Sequence, residues 1–339
     1  MTNLSELLVP LQTLHQEIRD AIVAAAERQQ GTELAEVDRE EAEDTIYAID
    51  VVSERVLDRF FTELSHHHCF IAIAEGIPHG RKVYPAHAAE ADAAFRIIVD
   101  PIDGTRGIMY QKRSAWILTG VAPNRGEETS LRDIELAIQT EVPLIKQNLS
   151  DQVWALKGRG VFGERYNRST GARSNLLLRT SRATSIKHGF ATIARFFPEG
   201  GEVLGAIDEE VIAAAIGRPE PGKARCFADQ YICTGGQLYE LMAGHDRFIA
   251  DLRPLLAASQ EEHSSPRSLC CHPYDLCAAL IAEEQGVIIT DASGRPLNAR
   301  LDVHSDVAWA GYANEEIRRQ VEPALQRALQ RRGWIRDLS

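Results

Sequence analysis

Two acidic residues that follow an apolar run constrain this chain more than any other feature. Residues 95–99 are apolar and lead directly into Asp100-Pro101-Ile102-Asp103-Gly104-Thr105, where a buried strand should end. Carboxylates are costly to bury unless a cation neutralises them. Hard divalent ions such as Mg2+ prefer closely spaced oxygen ligands of this kind. The alternative is that the aspartates only cap a helix, as aspartate often does. The local pattern alone leaves both interpretations open.

A further acid follows a second apolar run. Residues 70–74 predict a short strand, and Glu75-Gly76 comes directly after it. If the two strands are adjacent, the acids at their ends lie close enough to bind the same ion, which carboxylates at unrelated positions rarely do. Upstream, Asp50 precedes a periodic apolar pattern that predicts a helix with Asp50 near its N-terminus. A capping role alone would also explain Asp50.

The composition excludes several classes of protein. With 339 residues, the chain is long enough for two domains, and 44% hydrophobic with 25% charged residues is ordinary for a soluble globular protein. A net charge of −12 argues against a nucleic-acid or anionic-membrane partner. No apolar run approaches the ~20 residues of a membrane span, and no secretory signal is seen. Six cysteines without disulfide-like spacing indicate reduced thiols and a cytoplasmic protein.

Hydrophobic periodicity predicts most of the remaining elements. Residues 4–27 should form an amphipathic helix packed on a domain. Strands are predicted at 116–122, 133–140, 152–157, 160–162, 248–251 and 287–290, and helical segments at 208–216, 231–242, 276–285 and 314–331. Helices followed by strands indicate an α+β first half, and alternation after residue 180 indicates an α/β second half. The polar stretch 164–175 is predicted to connect the two domains.

Several polar segments are interpreted as loops or turns. The acidic stretch 29–44 predicts a solvated loop or helix face, with a flap that helps to hold a weak extra metal as the alternative. Residues 257–268 predict a loop. Lys157-Gly158-Arg159-Gly160 predicts a hairpin turn, because the Walker pattern of a phosphate cradle is absent.

The order of these motifs resembles the inositol monophosphatase family, a superfamily of lithium-sensitive, metal-dependent phosphatases. Nucleotide 3′-phosphatases and fructose-1,6-bisphosphatases also belong to it. The most specific match is Asp100-Pro-Ile-Asp-Gly-Thr105, followed far downstream by Tyr274-Asp275 and a helix that ends in glycine. The other segments that resemble family motifs are Asp50 with Glu54, Ala74-Glu75, 157–162, 228–231, Ala243-Gly244 and Asp251. The likeness covers most of residues 45–315.

The resemblance implies a layered αβαβα sandwich with the site between two domains. An N-terminal α+β domain, 1–178, would carry most metal ligands. A C-terminal α/β domain, 179–339, would carry the last metal ligand and the substrate pocket. Family members are commonly dimers, so a homodimer is expected.

The resemblance also implies a Mg2+-dependent phosphomonoesterase that uses two or three ions. Glu75, Asp100 and the carbonyl oxygen of Ile102 would hold one ion. Asp100, Asp103 and Asp275 would hold a second. A paired-metal site of this kind can stabilise the charge of a phosphate ester and acidify a bound water.

Further residues receive catalytic and binding roles through the same resemblance. Glu75, with Asp50 at longer range, would bind a weaker third ion, and Asp50 would act with Thr105 to position and deprotonate the attacking water. Backbone N–H groups of Gly104 and Thr105 would bind phosphate oxygens. The residues expected to bind substrate are Asp103, Gly104, Thr105, Asp229 and Asp251.

The expected substrate is a small phosphorylated polyol or sugar. The alternative is a 3′(2′),5′-bisphosphate nucleotidase, which would need an adenine slot and a basic clamp near Arg106 or Arg113. A remote alternative is a non-catalytic sugar-phosphate-binding protein. The chain departs from the family pattern at Gly76, where a second glutamate is usual, and at Tyr274, where tryptophan is commoner. These departures concern the substrate more than the reaction.

Overall fold

The computed structural model describes residues 4–28, 37–40, 45–218, 220–260 and 269–336. Most of the acidic stretch 29–44 and of the predicted loop 257–268 lies outside these ranges. Within them, the strands form an eight-stranded, a four-stranded and a two-stranded sheet. The two-stranded sheet is an antiparallel pair of β1 (Val37–Glu40) and β2 (Thr45–Tyr47).

Two helices cover one face of the eight-stranded sheet. A short 3-10 turn, Leu4–Leu7, leads into α1 (Leu8–Arg28), and α2 spans Ala48–Leu64. Apolar residues of α1 at three- and four-residue intervals are buried, which confirms the predicted amphipathic helix. The helix predicted after Asp50 is also confirmed, and Asp50 lies in its first turn.

The eight-stranded sheet carries the first acidic motifs at its strand ends. Its strands are β3 (Phe70–Ala74), β4 (Arg81–Tyr84), β5 (Phe95–Asp103), β6 (Ala115–Pro123), β7 (Leu136–Val142), β8 (Leu149–Leu156), β9 (Val161–Asn167) and β10 (Arg173–Asn175). Their spatial order is β10-β9-β8-β7-β6-β5-β3-β4. The pair β3–β5 is parallel, and its neighbours are antiparallel. A five-residue helix, α3 (Thr105–Met109), follows β5.

The prediction that residues 164–175 connect two domains is wrong. They form most of β9 and all of β10, so they belong to the large sheet. All three residues of β10 are exposed, because this strand lies at the edge of the sheet. An edge strand of this kind has no apolar alternation to mark it. The predicted turn at 157–160 is confirmed as the connection of the β8–β9 hairpin.

The second half of the chain forms a mixed four-stranded sheet and its helices. The strands are β11 (Phe190–Ile193), β12 (Asp246–Asp251), β13 (Ile288–Asp291) and β14 (Trp309–Tyr312), in the order β11-β12-β14-β13. The helices are α4 (Gly201–Ile216), α5 (Thr234–Met242), α6 (Arg253–Gln260), α7 (Ala279–Glu284) and α8 (Glu315–Arg331). Helix α6 continues to Gln260, so the start of the predicted loop 257–268 is helical instead.

These elements stack in five layers. Helices α1 and α2 contact the large sheet, α5 and α7 lie between the two sheets, and α4 and α8 cover the outer face of the small sheet. Three clusters of buried apolar side chains fill the spaces between the layers. The expected αβαβα sandwich is therefore confirmed, whereas a domain boundary at residue 178 stays a prediction. No helix in the described ranges is long and apolar enough to cross a membrane.

Candidate active site

The pairing of β3 with β5 places three carboxylates at one end of the large sheet. Ala74 pairs in parallel with Val99, so Glu75 and Asp100 follow neighbouring strand positions. Side chains three residues apart in a regular strand point to opposite faces. A register shift against β6 between Asp100 and Asp103 breaks that alternation. Both aspartates therefore reach the same cleft.

Asp275 completes the cluster from the second half of the chain. It lies in the turn that precedes α7, and the backbone N–H of His272 donates to its Oδ2 across 2.6 Å. One oxygen atom each from Asp100, Asp103 and Asp275 lies within 4.8 Å of the other two. The structure thus brings together the three aspartates predicted to share an ion.

The cluster carries more negative charge than its surroundings neutralise. Burial, followed by the charges of neighbouring carboxylates, raises the pKa of Asp100 and Asp103 well above the ordinary value. Burial also raises the pKa of Asp275 to about 6, although His272 opposes that shift. Backbone N–H groups of Ile102 and Gly235 each donate one hydrogen bond to the cluster. An all-oxygen, strongly anionic donor set of this kind fits Mg2+.

Thr105 lies beside Asp50 at the start of α3. Gly104 precedes it with φ of 98°, a left-handed conformation that glycine adopts without strain. The Thr105 hydroxyl is 3.1 Å from Asp50 Oδ1 and 3.0 Å from the carbonyl oxygen of Ile102, so it can donate to either. The predicted Thr105–Asp50 pair is therefore present, although the two residues lie 55 positions apart in sequence.

Tyr274, the residue before Asp275, is hydrogen-bonded to Glu75. The Tyr274 hydroxyl donates to Glu75 Oε1 across 3.1 Å. The next residue, Gly76, has φ of 79°, and a Cβ there would lie 2.6 Å from Glu54 Oε1. The left-handed φ favours glycine at this position.

The structure places two predicted substrate-binding residues away from the cleft wall. Asp251 is fully buried, and both of its carboxylate oxygens accept hydrogen bonds from Arg253. Asp229 accepts two hydrogen bonds from Arg113, at 2.6 and 2.7 Å. Among the described residues that line the cleft, neither aspartate is present. Their role in binding substrate stays a prediction.

The cleft is a cavity of about 120 Å³, and sequence reasoning missed part of its wall. Besides the predicted Glu75, Asp100, Ile102, Asp103, Gly104, Thr105 and Asp275, and Arg106 of the possible basic clamp, its lining includes Phe196, Phe197, Ile232, Arg253, Leu269, His272 and Val303. Phe196 and Phe197 follow β11, a short strand that the sequence pattern does not predict.

Comparison with known proteins identifies the fold. No protein-family model and no curated protein sequence matches the chain. The holo form of Leishmania major fructose-1,6-bisphosphatase superposes with a TM-score of 0.66 at 14% identity, covering 96% of this chain and 93% of that one. The extragenic suppressor protein SuhB of Bartonella henselae gives 0.63 at 16%, covering 95% and 98%. A Thermotoga maritima IMPase gives 0.57 at 16%, also covering 95% and 98%.

These similarities extend over almost the whole chain at low sequence identity, so they concern the arrangement of the backbone. The expected resemblance is confirmed at this level: the chain has the layered αβαβα fold of the inositol monophosphatase and fructose-1,6-bisphosphatase structures.

Proposed function

We propose that this protein is a Mg2+-dependent phosphomonoesterase acting on a small phosphorylated sugar or polyol. The observation that carries the proposal is the cluster of Asp100, Asp103 and Asp275, whose oxygens lie within 4.8 Å of one another in the cleft. The pairing of Thr105 with Asp50 beside this cluster supports it. Similar folds in structures described as fructose-1,6-bisphosphatase and IMPase support it as well.

The proposed reaction divides the work between the ions and the protein. When bound, Mg2+ supplies electrostatic stabilisation of the phosphate and lowers the pKa of a bound water. Asp100, Asp103 and Asp275 hold the ions, together with Glu75 and the carbonyl oxygen of Ile102. All five of these residues line the cleft, so the proposed ligands face one volume.

Thr105 and Asp50 act on the nucleophile in this proposal. The Thr105 hydroxyl orients the attacking water, and the Asp50 carboxylate receives its proton through that hydroxyl. Backbone N–H groups at Gly104 and Thr105, which also line the cleft, donate to the phosphate oxygens. Positioning and charge stabilisation are the main requirements for transfer of a phosphoryl group to water.

A 3′(2′),5′-bisphosphate nucleotidase is the second candidate. Phe196 and Phe197 line the cleft, and the guanidinium carbon of Arg106 lies 5.9 Å from the centre of the Phe197 ring. An aromatic wall beside a cation suits a nucleotide base and its phosphate. The two candidates differ in the leaving group, and both hydrolyse a phosphate monoester in the same way.

A phosphate-release assay with Mg2+, with and without Li+, tests both candidates. We expect hydrolysis that depends on Mg2+ and is inhibited by Li+, and comparison of inositol 1-phosphate with adenosine 3′,5′-bisphosphate selects between the candidates. Asp103→Asn is the matched inactive control. Failure of the wild-type protein to hydrolyse any phosphoester would contradict both candidates and leave a non-catalytic sugar-phosphate-binding protein as the remaining alternative.

We also propose that the protein is a homodimer in the cytoplasm. Light scattering of the purified chain tests whether it is a dimer.

A further inference from the structure

The Gly-rich turn between β8 and β9 binds a carboxylate from the second half of the chain. The backbone N–H of Gly158 donates to Glu284 Oε1 across 2.7 Å, and that of Gly160 donates to Glu284 Oε2 across 2.8 Å. Both glycines have a left-handed backbone, with φ of 75° and 74°. We call these two N–H groups the hairpin nest. An internal carboxylate therefore occupies the position that a free anion would take.

Glu284 and the proposed ion ligand Asp275 lie at opposite ends of one helical element. Glu284 is the last residue of α7, and Asp275 lies in the turns that precede this helix. Backbone N–H groups of Leu276, Cys277 and Ala279 each donate to the carbonyl oxygen three residues earlier, which joins the turns to α7. A displacement of the Glu284 end is therefore transmitted to Asp275.

The end that carries Asp275 lies directly on the large sheet. A Cβ on Gly120, in β6, would lie 2.8 Å from the carbonyl oxygen of Cys277, so any side chain there would displace the turn. Gly120 pairs with Ile98 of β5, the strand that continues to Asp100 and Asp103. Asp275 thus approaches the other two aspartates through a close contact that tolerates little movement.

Polar contacts fix the other end of α7. Residues 279–282 are buried between the two sheets. Attraction between apolar surfaces has no preferred direction, so this packing alone does not determine where the helix lies along its axis. Hydrogen bonds to a carboxylate require particular distances and angles. Besides the nest contacts of Glu284, Gln285 Nε2 donates to the carbonyl oxygen of Leu178 across 2.6 Å.

We propose that Glu284 is a positioning residue for Asp275. By binding the hairpin nest, its carboxylate holds α7 where Asp275 meets Asp100 and Asp103. Of the proposed ion ligands, only Asp275 comes from the second half of the chain, so its distance from the others depends on how α7 is placed. The inference rests on the proposed function, since it assumes that the three aspartates bind Mg2+.

The competing explanation is that Glu284 only stabilises the fold. In that case its replacement lowers the free energy of unfolding and leaves the Mg2+ affinity of the folded protein unchanged. A positioning residue alters the affinity of the folded protein itself. Calorimetric titration of the full chain with Mg2+, at a temperature where circular dichroism shows every variant to be folded, separates the two explanations.

Two variants disrupt the contact from opposite sides. Glu284→Gln keeps the size of the side chain and removes its charge. Gly158→Ala disfavours the left-handed backbone of the nest, and nothing lies within 4 Å of the added Cβ, so no clash is introduced. The contact of Gln285 with Leu178 remains in both variants and helps to keep α7 in place.

The chain offers a matched control for each variant. Glu283→Gln removes the same charge from the preceding residue, whereas the nest N–H groups donate to Glu284. Gly171→Ala makes the same change in the turn between β9 and β10, where φ is 73° and nothing lies within 4 Å of the added Cβ. These controls reproduce the loss of charge and the backbone strain without affecting the nest.

We expect Glu284→Gln and Gly158→Ala each to weaken Mg2+ binding by about 3- to 10-fold, because residues that contact a metal ligand directly contribute about 10-fold or more. The Mg2+ concentration for half-maximal phosphate release should rise by the same factor, and kcat at saturating Mg2+ should change little. The double variant Glu284→Gln/Gly158→Ala should lose little more than either single variant, because both remove one contact. Both controls should match the wild type. Wild-type Mg2+ affinity in the folded Glu284→Gln and Gly158→Ala proteins would overturn the proposal.

Failure of the proposed function gives a different result. If the wild-type protein binds Mg2+ but hydrolyses no phosphomonoester, the phosphatase proposal is wrong, and the binding titrations still decide the role of Glu284. If it hydrolyses phosphomonoesters and the variants bind Mg2+ as well as the wild type, only the role of Glu284 is wrong. A wild type that binds no Mg2+ would contradict both, since Asp275 would then hold no ion.

Discussion

The hydroxyl of Tyr274 donates a hydrogen bond to Glu75 Oε1 across 3.1 Å, which joins residues that are 199 positions apart. Burial and the charges of neighbouring carboxylates raise the pKa of Tyr274 well above its ordinary value, so its hydroxyl keeps its proton. The contact links the acid that follows β3 to the turn that carries Asp275. It gives Tyr274 a role in orienting a proposed metal ligand.

We predict that Tyr274→Phe raises the Mg2+ concentration needed for half-maximal activity by about 10-fold, because partners that orient metal ligands typically contribute this much. The value of kcat at saturating Mg2+ should change little. A Mg2+ titration of phosphate release measures both. Tyr312→Phe is the control, since Tyr312 is also buried but stacks on Phe248 in the small sheet. An unchanged midpoint in Tyr274→Phe would show that the hydrogen bond does not orient Glu75.

The aspartate cluster predicts opposite effects on activity and on metal-free stability. Asp103→Asn and Asp275→Asn should each abolish turnover while the protein stays folded. Each should also stabilise the metal-free protein. The reason is that the wild type buries carboxylates that repel one another. The rise in melting temperature caused by Mg2+ should be lost.

Thermal unfolding with and without Mg2+ tests this prediction, and Asp246→Asn is the control. Asp246 is buried in the small sheet, and burial, followed by neighbouring acids, raises its pKa to about 7. Its replacement should stabilise the metal-free protein in a similar way and preserve the response to Mg2+. Activity retained by Asp103→Asn or Asp275→Asn would contradict the proposed metal ligands.

The Thr105–Asp50 contact predicts that the two residues act as a unit. Thr105→Ala should lower kcat by about 100-fold, in the range of general acid–base contributions, and should leave the Mg2+ midpoint unchanged. Thr105→Ser keeps the hydroxyl and should retain most of the activity. The double variant Thr105→Ala/Asp50→Asn should lose little more than either single variant, because paired catalytic groups are not additive. If the fold-loss of kcat in the double variant equals the product of the two single losses, the residues act independently.

The strongly patterned parts of the molecule could be predicted from the sequence. Helices α1 and α8 have sustained apolar periodicity, and β5 is an apolar run that ends in acids. These elements bury one face or both faces, so the spacing of their apolar residues shows which face is buried. The sequence also predicts that Glu75 and Asp100 lie close together, because each directly follows an apolar run. The two strands are adjacent in the sheet, as this prediction requires.

Other features depend on tertiary contacts that no local pattern records. Strands β4 and β10 lie at the edges of the large sheet and have mostly exposed residues. The register shift between Asp100 and Asp103 is a property of the pairing with β6. Asp251 ends β12 as Asp103 ends β5, yet Arg253 neutralises Asp251, which does not line the cleft. An acid at a strand end is therefore compatible with a metal ligand and with a buried ion pair.

His15 predicts how stability depends on pH. The residue is fully buried in α1, with Nδ1 2.8 Å from Thr140 Oγ1 and Nε2 2.8 Å from Thr119 Oγ1. Burial lowers its pKa from 6.5 to about 3. Between these values the unfolded chain binds a proton that the folded protein excludes, so unfolding is favoured as the pH falls. The contribution of neutral His15 is complete above pH 6.5 and is lost progressively towards pH 3.

We therefore expect His15→Gln to remove part of the acid sensitivity of the protein. Urea unfolding at several pH values between 4.5 and 7.5 should show that the unfolding free energy of the wild type, relative to that of the variant, decreases as the pH is lowered. Its slope should approach about 1.4 kcal/mol per pH unit, which corresponds to one proton. His66→Gln is the control, because His66 is exposed at the end of α2 and its replacement should leave the slope unchanged. Parallel curves for wild type and His15→Gln would mean that protonation of His15 is not linked to unfolding.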